Sequence, residues 1–246
     1  KWLEQMTYQE LQEQKPIPEL EAVKQAIVSC FAYSGNPEFK SDTAYCSYNV
    51  RTHEVEIVYQ TFDGRTEAHP LSEMSDGYRN MLSMVADIAY RMALLNPQLL
   101  DKVTTETEGV VLIDEIDLHL HPAWQRHVVE ALKSIFPKVQ FIASTHAPSV
   151  IASVQRHEVV VLRDCTAVPA PALTYGKDAN AILRTVMNVP ERQDSVGMEI
   201  AAFHAALGNG EIEQARQCLR SITNILGEDD PEVIGAETAL ALETME

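Results

Sequence analysis

Residues 109–117 read Gly-Val-Val-Leu-Ile-Asp-Glu-Ile-Asp, an apolar run that ends in acidic residues. Such a short apolar run predicts a strand buried within a parallel sheet. The end of this strand places Asp114 and Glu115 at the carboxyl edge of the sheet, where one carboxylate can hold Mg²⁺ and the other can polarise a water molecule. Acids also end strands for structural reasons alone, so the neighbouring motifs must decide between the two interpretations.

Two further motifs flank this strand. Upstream, Ser-Asp-Gly-Tyr-Arg at residues 75–79 predicts a turn that opens a helix, whose free amides form an anion site. Downstream, an apolar run at 139–143 is followed by Ser-Thr-His, and His146 could reach the same ligand. Together the three motifs predict half of an ATP site. The phosphate-cradling loop Gly-x-x-x-x-Gly-Lys-Ser/Thr does not occur in the 246 residues.

The elements around these motifs predict an α/β fold. Strands at 110–113, 139–143 and 159–162 alternate with helices at 122–136 and 148–154. This alternation of very apolar strands with helices indicates a parallel sheet that is covered on both faces.

Composition divides the chain into four parts. These are a helical segment of uncertain role at 1–45, an ATPase core at 46–165, a linker with a short helix at 166–198, and an acidic helical hairpin at 199–246. A loop is predicted over 34–41, and an antiparallel meander precedes the turn at 75–79. The hairpin carries ten acidic and two basic residues, a net charge of −8.

Charge and cysteine content narrow the functional class. The net charge of −17 argues against extended electrostatic binding of nucleic acid, because such binding needs clustered Lys and Arg. The four cysteines lack the paired spacing of zinc sites or of disulfide frameworks. No run approaches the ~20 apolar residues that span a bilayer. We therefore expect a cytoplasmic protein without a membrane partner.

The order of the motifs resembles the C-terminal half of ABC-type ATPase heads, as in SMC and recombination-mediator proteins. The strings at 109–125 and 140–148 narrow the resemblance to the PtuA-like ATPases of Septu anti-phage systems, a group that also occurs in retrons. Segments 175–180 and 189–192 resemble the same group. The resemblance covers most of residues 50–246. It implies a P-loop NTPase fold of the ABC-ATPase type, with its C-terminal lobe present and a C-terminal α-helical hairpin added.

The resemblance also implies roles for the residues after the two strands. Asp114 would bind Mg²⁺, Glu115 would be the general base and His146 would be the switch histidine. Asp117 would bind the cofactor from the loop that crosses the dimer interface. The missing phosphate loop implies either that its lobe lies before Lys1 in a longer polypeptide, or that the protein lacks catalysis.

The turn at 75–79 would be the signature loop. In such ATPases this loop faces the γ-phosphate of an ATP held by the other protomer, which assigns Ser75, Gly77 and Arg79 to nucleotide binding in trans. A bulky residue at Gly77 is expected to block that approach without disturbing the fold. For Arg79 and Arg126, however, solvation or ion pairing remains the simpler interpretation.

Three aromatic residues near the carboxylates are more simply explained by structural roles than by ligand binding. His119 and His121 suggest a metal site, but no further ligand follows at fixed spacing, so surface or interface histidines are favoured. Trp124 is most simply a packing anchor for the helix that Pro122 begins.

These observations predict a dimeric or higher homo-oligomeric ATPase that uses ATP and Mg²⁺. The resemblance implies that it regulates or positions an HNH-type nuclease in an anti-phage complex. In a retron, a reverse transcriptase and its DNA/RNA product would be further partners. One alternative is an SMC-like DNA-repair or chromosome ATPase, whose long heptad arms are absent from this sequence. Another is a scaffold in which nucleotide joins protomers without catalysis.

Overall fold

The computed structural model describes residues 2–34, 39–190 and 192–244, which form two compact units that divide between Ile182 and Leu183. Each unit has its own hydrophobic core. Residues 35–38 of the loop predicted over 34–41 lie outside the described residues. No helix in the described ranges is long and apolar enough to cross a membrane.

The first unit is built around two long helices. Its α-helices are α1 (Trp2–Glu13), α2 (Pro18–Phe31), α3 (Asp76–Leu95), α4 (Val103–Glu106), α5 (Pro122–Gln125), α6 (Val128–Ile135), α7 (Pro148–Ile151) and α8 (Ala179–Ile182). Pro18 occupies the first turn of α2, where its missing N–H costs no hydrogen bond. The apolar side chains of α2 and α3 form much of the core.

Three small sheets accompany these helices. An antiparallel meander consists of β1 (Tyr45–Asn49), β2 (Glu54–Gln60) and β3 (Thr66–Pro70). A parallel pair consists of β4 (Gly109–Ile113) and β5 (Val139–Ala143). An antiparallel hairpin consists of β6 (Val160–Arg163) and β7 (Thr166–Pro169).

The register of the parallel pair sets the position of the candidate site. Gly109 lies opposite Val139 and Ile113 lies opposite Ala143, so the two strands end side by side. The acids that follow β4 therefore leave the sheet beside the Ser-Thr-His that follows β5.

The strand predicted at 159–162 does not join the parallel sheet as expected. β6 pairs with β7 instead, and β7 lies where the sequence predicted the start of a linker. The physical reason is the tight turn between them, in which Asp164 and Cys165 both have left-handed backbone with φ of 47° and 59°. Two successive left-handed residues fit the two-residue turns that close antiparallel hairpins.

We also expected both faces of the parallel sheet to be covered, and for the described residues this expectation is wrong. On one face Val111, Ile113 and Phe141 pack against the core. On the other face Val110 and Leu112 are 59% and 75% exposed. The β4–β5 sheet thus has one uncovered apolar face.

The helix predicted over 122–136 is two helices, α5 and α6. His127 donates its backbone N–H to Trp124 O at 2.9 Å, a bond over three residues that tightens the chain between them. The predicted helix at 148–154 ends earlier, at Ile151.

The N-terminal segment of uncertain role is integral to the first unit. Val23 is fully buried in α2, and Ile27 is 1% exposed. Nearby, burial raises the pKa of the Cys30 and Cys46 thiols to about 12, which keeps both protonated at neutral pH.

The first unit also extends beyond the boundary expected at residue 165. Arg156 Nε donates to Ala170 O at 2.8 Å, and the Thr174 hydroxyl donates to Val154 O at 2.6 Å. These bonds tie the expected linker to the core.

The described residues of the second unit form three α-helices rather than the predicted hairpin of two. They are α9 (Asp194–Gly208), α10 (Ile212–Leu226) and α11 (Pro231–Glu243), preceded by a π-helical turn at Leu183–Met187. The third helix forms because Phe203 and Ala206 of α9 are buried against the apolar residues of α10 and α11. Arg192 pairs with Asp230 at 2.9 Å, and Asp230 also caps α11 by accepting Glu232 N–H; the arginine first and the cap second lower the pKa of this carboxyl.

The start of α3 packs tightly on the loop that follows the acids. A Cβ built at Gly77 would lie 2.8 Å from the backbone oxygen of His119. Gly77 is itself buried. The expectation that a bulky residue there would leave the fold undisturbed is therefore wrong, because backbone atoms occupy the space.

A first prediction tests whether the N-terminal segment belongs to the core. Ile27→Ala should lower the free energy of unfolding by roughly 2–5 kcal/mol, since it leaves a cavity in a packed core. Leu11→Ala on α1 removes a side chain that is 59% exposed and should change stability by less than about 0.5 kcal/mol. Denaturant unfolding measures both variants, and equal effects would contradict the assignment.

A second prediction compares two helical glycines. Gly77→Ala should destabilise the fold by roughly 1–3 kcal/mol, because the new methyl group forces backbone apart. Gly235→Ala in α11, where nothing lies within 4 Å of the new Cβ, should instead stabilise by roughly 0.5–1 kcal/mol. Thermal unfolding shows whether each variant is less or more stable than the original protein. Stabilisation by Gly77→Ala would show that the contact with His119 is not rigid.

Candidate functional site

The site begins where β4 ends. Asp114 and Glu115 directly follow the strand, and both are exposed. Glu115 has left-handed backbone with φ of 50°, a conformation that non-glycine residues rarely adopt. Such strain persists only where surrounding contacts hold it, and it is common at functional sites.

The Ser144 side chain contacts both acidic residues. Its hydroxyl donates to Asp114 Oδ1 at 2.5 Å and accepts the backbone N–H of Glu115 at 2.8 Å. Backbone bonds of 3.0 Å, from Ser144 N–H to Ile113 O and from Ile116 N–H to Ser144 O, reinforce this contact. The sequence alone assigned no role to Ser144, although its place directly after a strand predicted to neighbour β4 was a usable signal.

A second connection joins Asp117 to the loop of His146. Asp117 Oδ1 accepts the Thr145 hydroxyl and the backbone N–H of His146, the latter at 3.3 Å. The Thr145 hydroxyl oxygen in turn accepts Ala147 N–H at 3.1 Å. Asp117 therefore holds the backbone of the loop that carries His146, a role that the sequence did not predict.

The structure thus brings together four of the predicted site residues. Asp114, Glu115, Asp117 and His146 lie on two loops joined by hydrogen bonds. Both Glu115 and His146 are exposed, so their side chains are accessible to a ligand.

The start of α3, which the sequence predicted as the signature turn, approaches the loop of His119 through backbone atoms. Ser75 precedes α3 in extended conformation, and its side chain makes no capping hydrogen bond. Gly77 contacts the loop at His119, and this contact is between backbone atoms rather than with the carboxylates themselves. Arg79 forms an ion pair with Asp76 and donates to Ser72 O at 3.3 Å, which matches the simpler interpretation of this arginine.

The remaining candidates behave as structural residues. His121 Nδ1 accepts the N–H of Ala123 at 3.2 Å and so caps α5. Trp124 is 3% exposed and packs edge-on against Tyr78, with ring centroids 5.1 Å apart. Arg126 is exposed. In the part of the chain that the structure describes, no group of three or more His, Cys, Asp or Glu residues could hold a metal ion.

The oxygen donors at the end of β4 fit Mg²⁺ bound with a nucleotide. Mg²⁺ usually keeps several waters and is held by one or two carboxylates together with substrate phosphates, so it needs no cage of protein ligands. Asp114 supplies such a carboxylate, exposed and oriented by the Ser144 hydroxyl. When bound, Mg²⁺ would neutralise phosphate charge here.

The chain is similar to several known proteins. The chain is 36% identical over 120 residues to "Retron Ec83 probable ATPase" of Escherichia coli, which covers 49% of this chain and 22% of that protein. It is 44% identical over 92 residues to "Septu protein PtuA" of Bacillus mycoides, which covers 37% of this chain and 12% of that protein. The predicted resemblance to ATPases of Septu and retron systems is confirmed, and the matches span about a fifth or less of these relatives.

One solved structure is also similar, and it is described as "Structural biochemistry of ATP-driven dimerization and DNA stimulated activation of SMC ATPases". It is 19% identical, has a TM-score of 0.38, and covers 60% of this chain and 81% of that one.

A family model matches residues 11–152, which is more than half of the chain. The family is described as an AAA domain, and its description also names the AbiEii toxin and type IV toxin–antitoxin systems. The match extends from within α1 to the end of α7 and includes every predicted site residue. The chain therefore belongs to this family of AAA ATPase domains.

Proposed function

We propose that the chain supplies one half of a composite ATP-hydrolysis site in an ATPase of an anti-phage defence complex. Asp114 holds Mg²⁺, Glu115 is the general base that activates water, and His146 lies beside the γ-phosphate. The observation that carries the proposal is that Asp114 and Glu115 follow β4 and are both hydrogen-bonded to Ser144 on the loop of His146, Asp114 through its carboxylate and Glu115 through its backbone N–H. The defence role follows from the similarity to Septu and retron ATPases.

Phosphoryl transfer needs mainly positioning and charge neutralisation, and these residues supply only part of both. The 246 residues contain no phosphate loop, and no lysine that such a loop would contribute. Exposure of Asp114 and Glu115 agrees with a site that another lobe must complete.

The uncovered apolar face of the β4–β5 sheet suggests where the completing lobe can pack. Val110, Leu112 and Ile142 are all more than half exposed there. Parallel sheets are normally buried on both faces, and water-exposed side chains of this kind are costly in a finished domain. We assign this face to the lobe that bears the phosphate loop, whether from a longer form of this polypeptide or from another chain.

Dimerisation would complete the site from the other side. The N-terminus of α3 lies next to an exposed Ser75, and helix N-termini favour anions such as phosphate. In this proposal the exposed Ser75 approaches the nucleotide of a second protomer, while the buried Gly77 keeps the start of α3 packed on the loop of His119 and Arg79 remains paired with Asp76.

The second unit is proposed as the dock for a partner protein. Met198 of α9 and both Ile234 and Leu242 of α11 are more than half exposed although apolar. The net charge of −8 over residues 199–246 disfavours nucleic acid and favours a basic protein surface. An HNH-type nuclease is the proposed partner; in a retron, a reverse transcriptase with its DNA/RNA product would join the same complex. A cytoplasmic location is part of this proposal.

The catalytic assignment predicts different effects for the two carboxylates. In the ATPase that contains the phosphate loop, Glu115→Gln should retain ATP binding but slow turnover by roughly 10²-fold or more, since general-base catalysis is lost. Asp114→Asn should weaken binding of Mg²⁺–ATP instead. Steady-state hydrolysis and nucleotide affinity are the two measurements.

A matched control is available at the other end of β4. Glu108→Gln removes the same charge from an exposed position before the strand and should leave turnover unchanged. If Glu115→Gln hydrolyses ATP at the rate of Glu108→Gln, Glu115 is not the general base. The chain would then fit the scaffold alternative better.

The docking assignment predicts that charge on the exposed apolar residues weakens partner binding. Met198→Asp and Leu242→Asp should each raise the Kd for the nuclease by about tenfold or more, as expected when an interface anchor is lost. Leu173→Asp alters an apolar residue of the first unit that is 70% exposed and serves as the control. Equal affinities for all three variants would show that the second unit is not the dock.

A further inference from the structure

The Ser144 hydroxyl occupies an unusual place between the two carboxylate-bearing residues. Its single proton is donated to Asp114, while its oxygen accepts the N–H of Glu115. One short side chain on the loop after β5 therefore determines the orientation of one acid and the backbone position of the other.

The contact with Glu115 stabilises a strained conformation. Left-handed backbone is unfavourable for a non-glycine residue such as Glu115, and a hydrogen bond made in that conformation offsets part of the cost. The bond from Glu115 N–H to Ser144 therefore offsets part of the cost of that conformation. Without it, the chain after Ile113 could relax and move the Glu115 side chain.

The hydrogen bonds of Asp117 hold a different part of the site. Asp117 contacts Thr145 and the His146 backbone, and these bonds do not involve Glu115. The positions of Glu115 and His146 are therefore set by separate side chains, so a substitution at Ser144 can be interpreted on its own.

We propose that Ser144 is a positioning residue for ATP hydrolysis, which holds Glu115 in its left-handed conformation and orients the Asp114 carboxylate toward Mg²⁺. The proposal rests on the proposed function for its catalytic part. Its geometric part concerns only this chain and holds without nucleotide. A serine or threonine can fill the role because only the hydroxyl is used.

The geometric part is tested on the chain without nucleotide, by amide hydrogen exchange at Glu115. Ser144→Ala should accelerate exchange there by up to about tenfold, the effect of losing one hydrogen bond, while Ser144→Thr should stay close to the original protein. Ser134→Ala removes an exposed hydroxyl on α6 and is the control. Unfolding curves establish that each variant is folded. Unchanged exchange at Glu115 in Ser144→Ala would overturn the proposal.

The catalytic part is tested with the same variants in the ATPase that contains the phosphate loop. Ser144→Ala should lower kcat by roughly 10–10²-fold, as for a small misplacement of a catalytic group, with little change in the Kd for ATP. Ser144→Thr should restore most of kcat, which a purely steric role would not produce. A normal kcat for Ser144→Ala in an active enzyme would refute the catalytic role. An ATPase that is inactive before any substitution would refute the proposed function, while faster Glu115 exchange would still support the geometry.

Discussion

The in-register pairing of β4 and β5 is the constraint on which the candidate site depends. Because Ile113 lies opposite Ala143, the two strands end at the same level and their loops leave the sheet together. A shift by one residue would turn the side chains of β4 to opposite faces and separate Ser144 from Asp114. On one face the sheet packs against the core to which α2, α3 and α6 contribute, so the N-terminal helices belong to the same core as the strands that carry the site.

A few side chains on the loops after β4 and β5 bring the site residues together. Ser144 and Asp117 each hold the opposite loop, and Gly77 allows the start of α3 to approach the same region at backbone distance. Strain at Glu115 is therefore balanced locally by hydrogen bonds. The open apolar face of the sheet and the exposed carboxylates have a common explanation, since both would be covered by a lobe that carries the phosphate loop.

Much of this arrangement was predictable from periodicity and motif order. The apolar runs before Asp114 and Ser144 predicted β4 and β5 closely, because short runs of β-branched and other apolar residues favour strands. The pairing of β6 with β7 was missed, since it depends on two left-handed residues, Asp164 and Cys165, that are not glycine. The contact of Gly77 with His119 and the role of Ser144 arise between residues distant in sequence. A single sequence carries no local signal for such contacts.

The central claim is that the end of β4 holds the metal and the reacting end of ATP. Its most direct test is a structure of the complete ATPase with Mg²⁺ and a non-hydrolysable ATP analogue. We expect Mg²⁺ coordinated by Asp114 directly or through one water, Glu115 within reach of a water next to the γ-phosphate, and Ser144 still bonded to Glu115 N–H. A nucleotide bound away from the ends of β4 and β5, with these residues open to solvent, would contradict it.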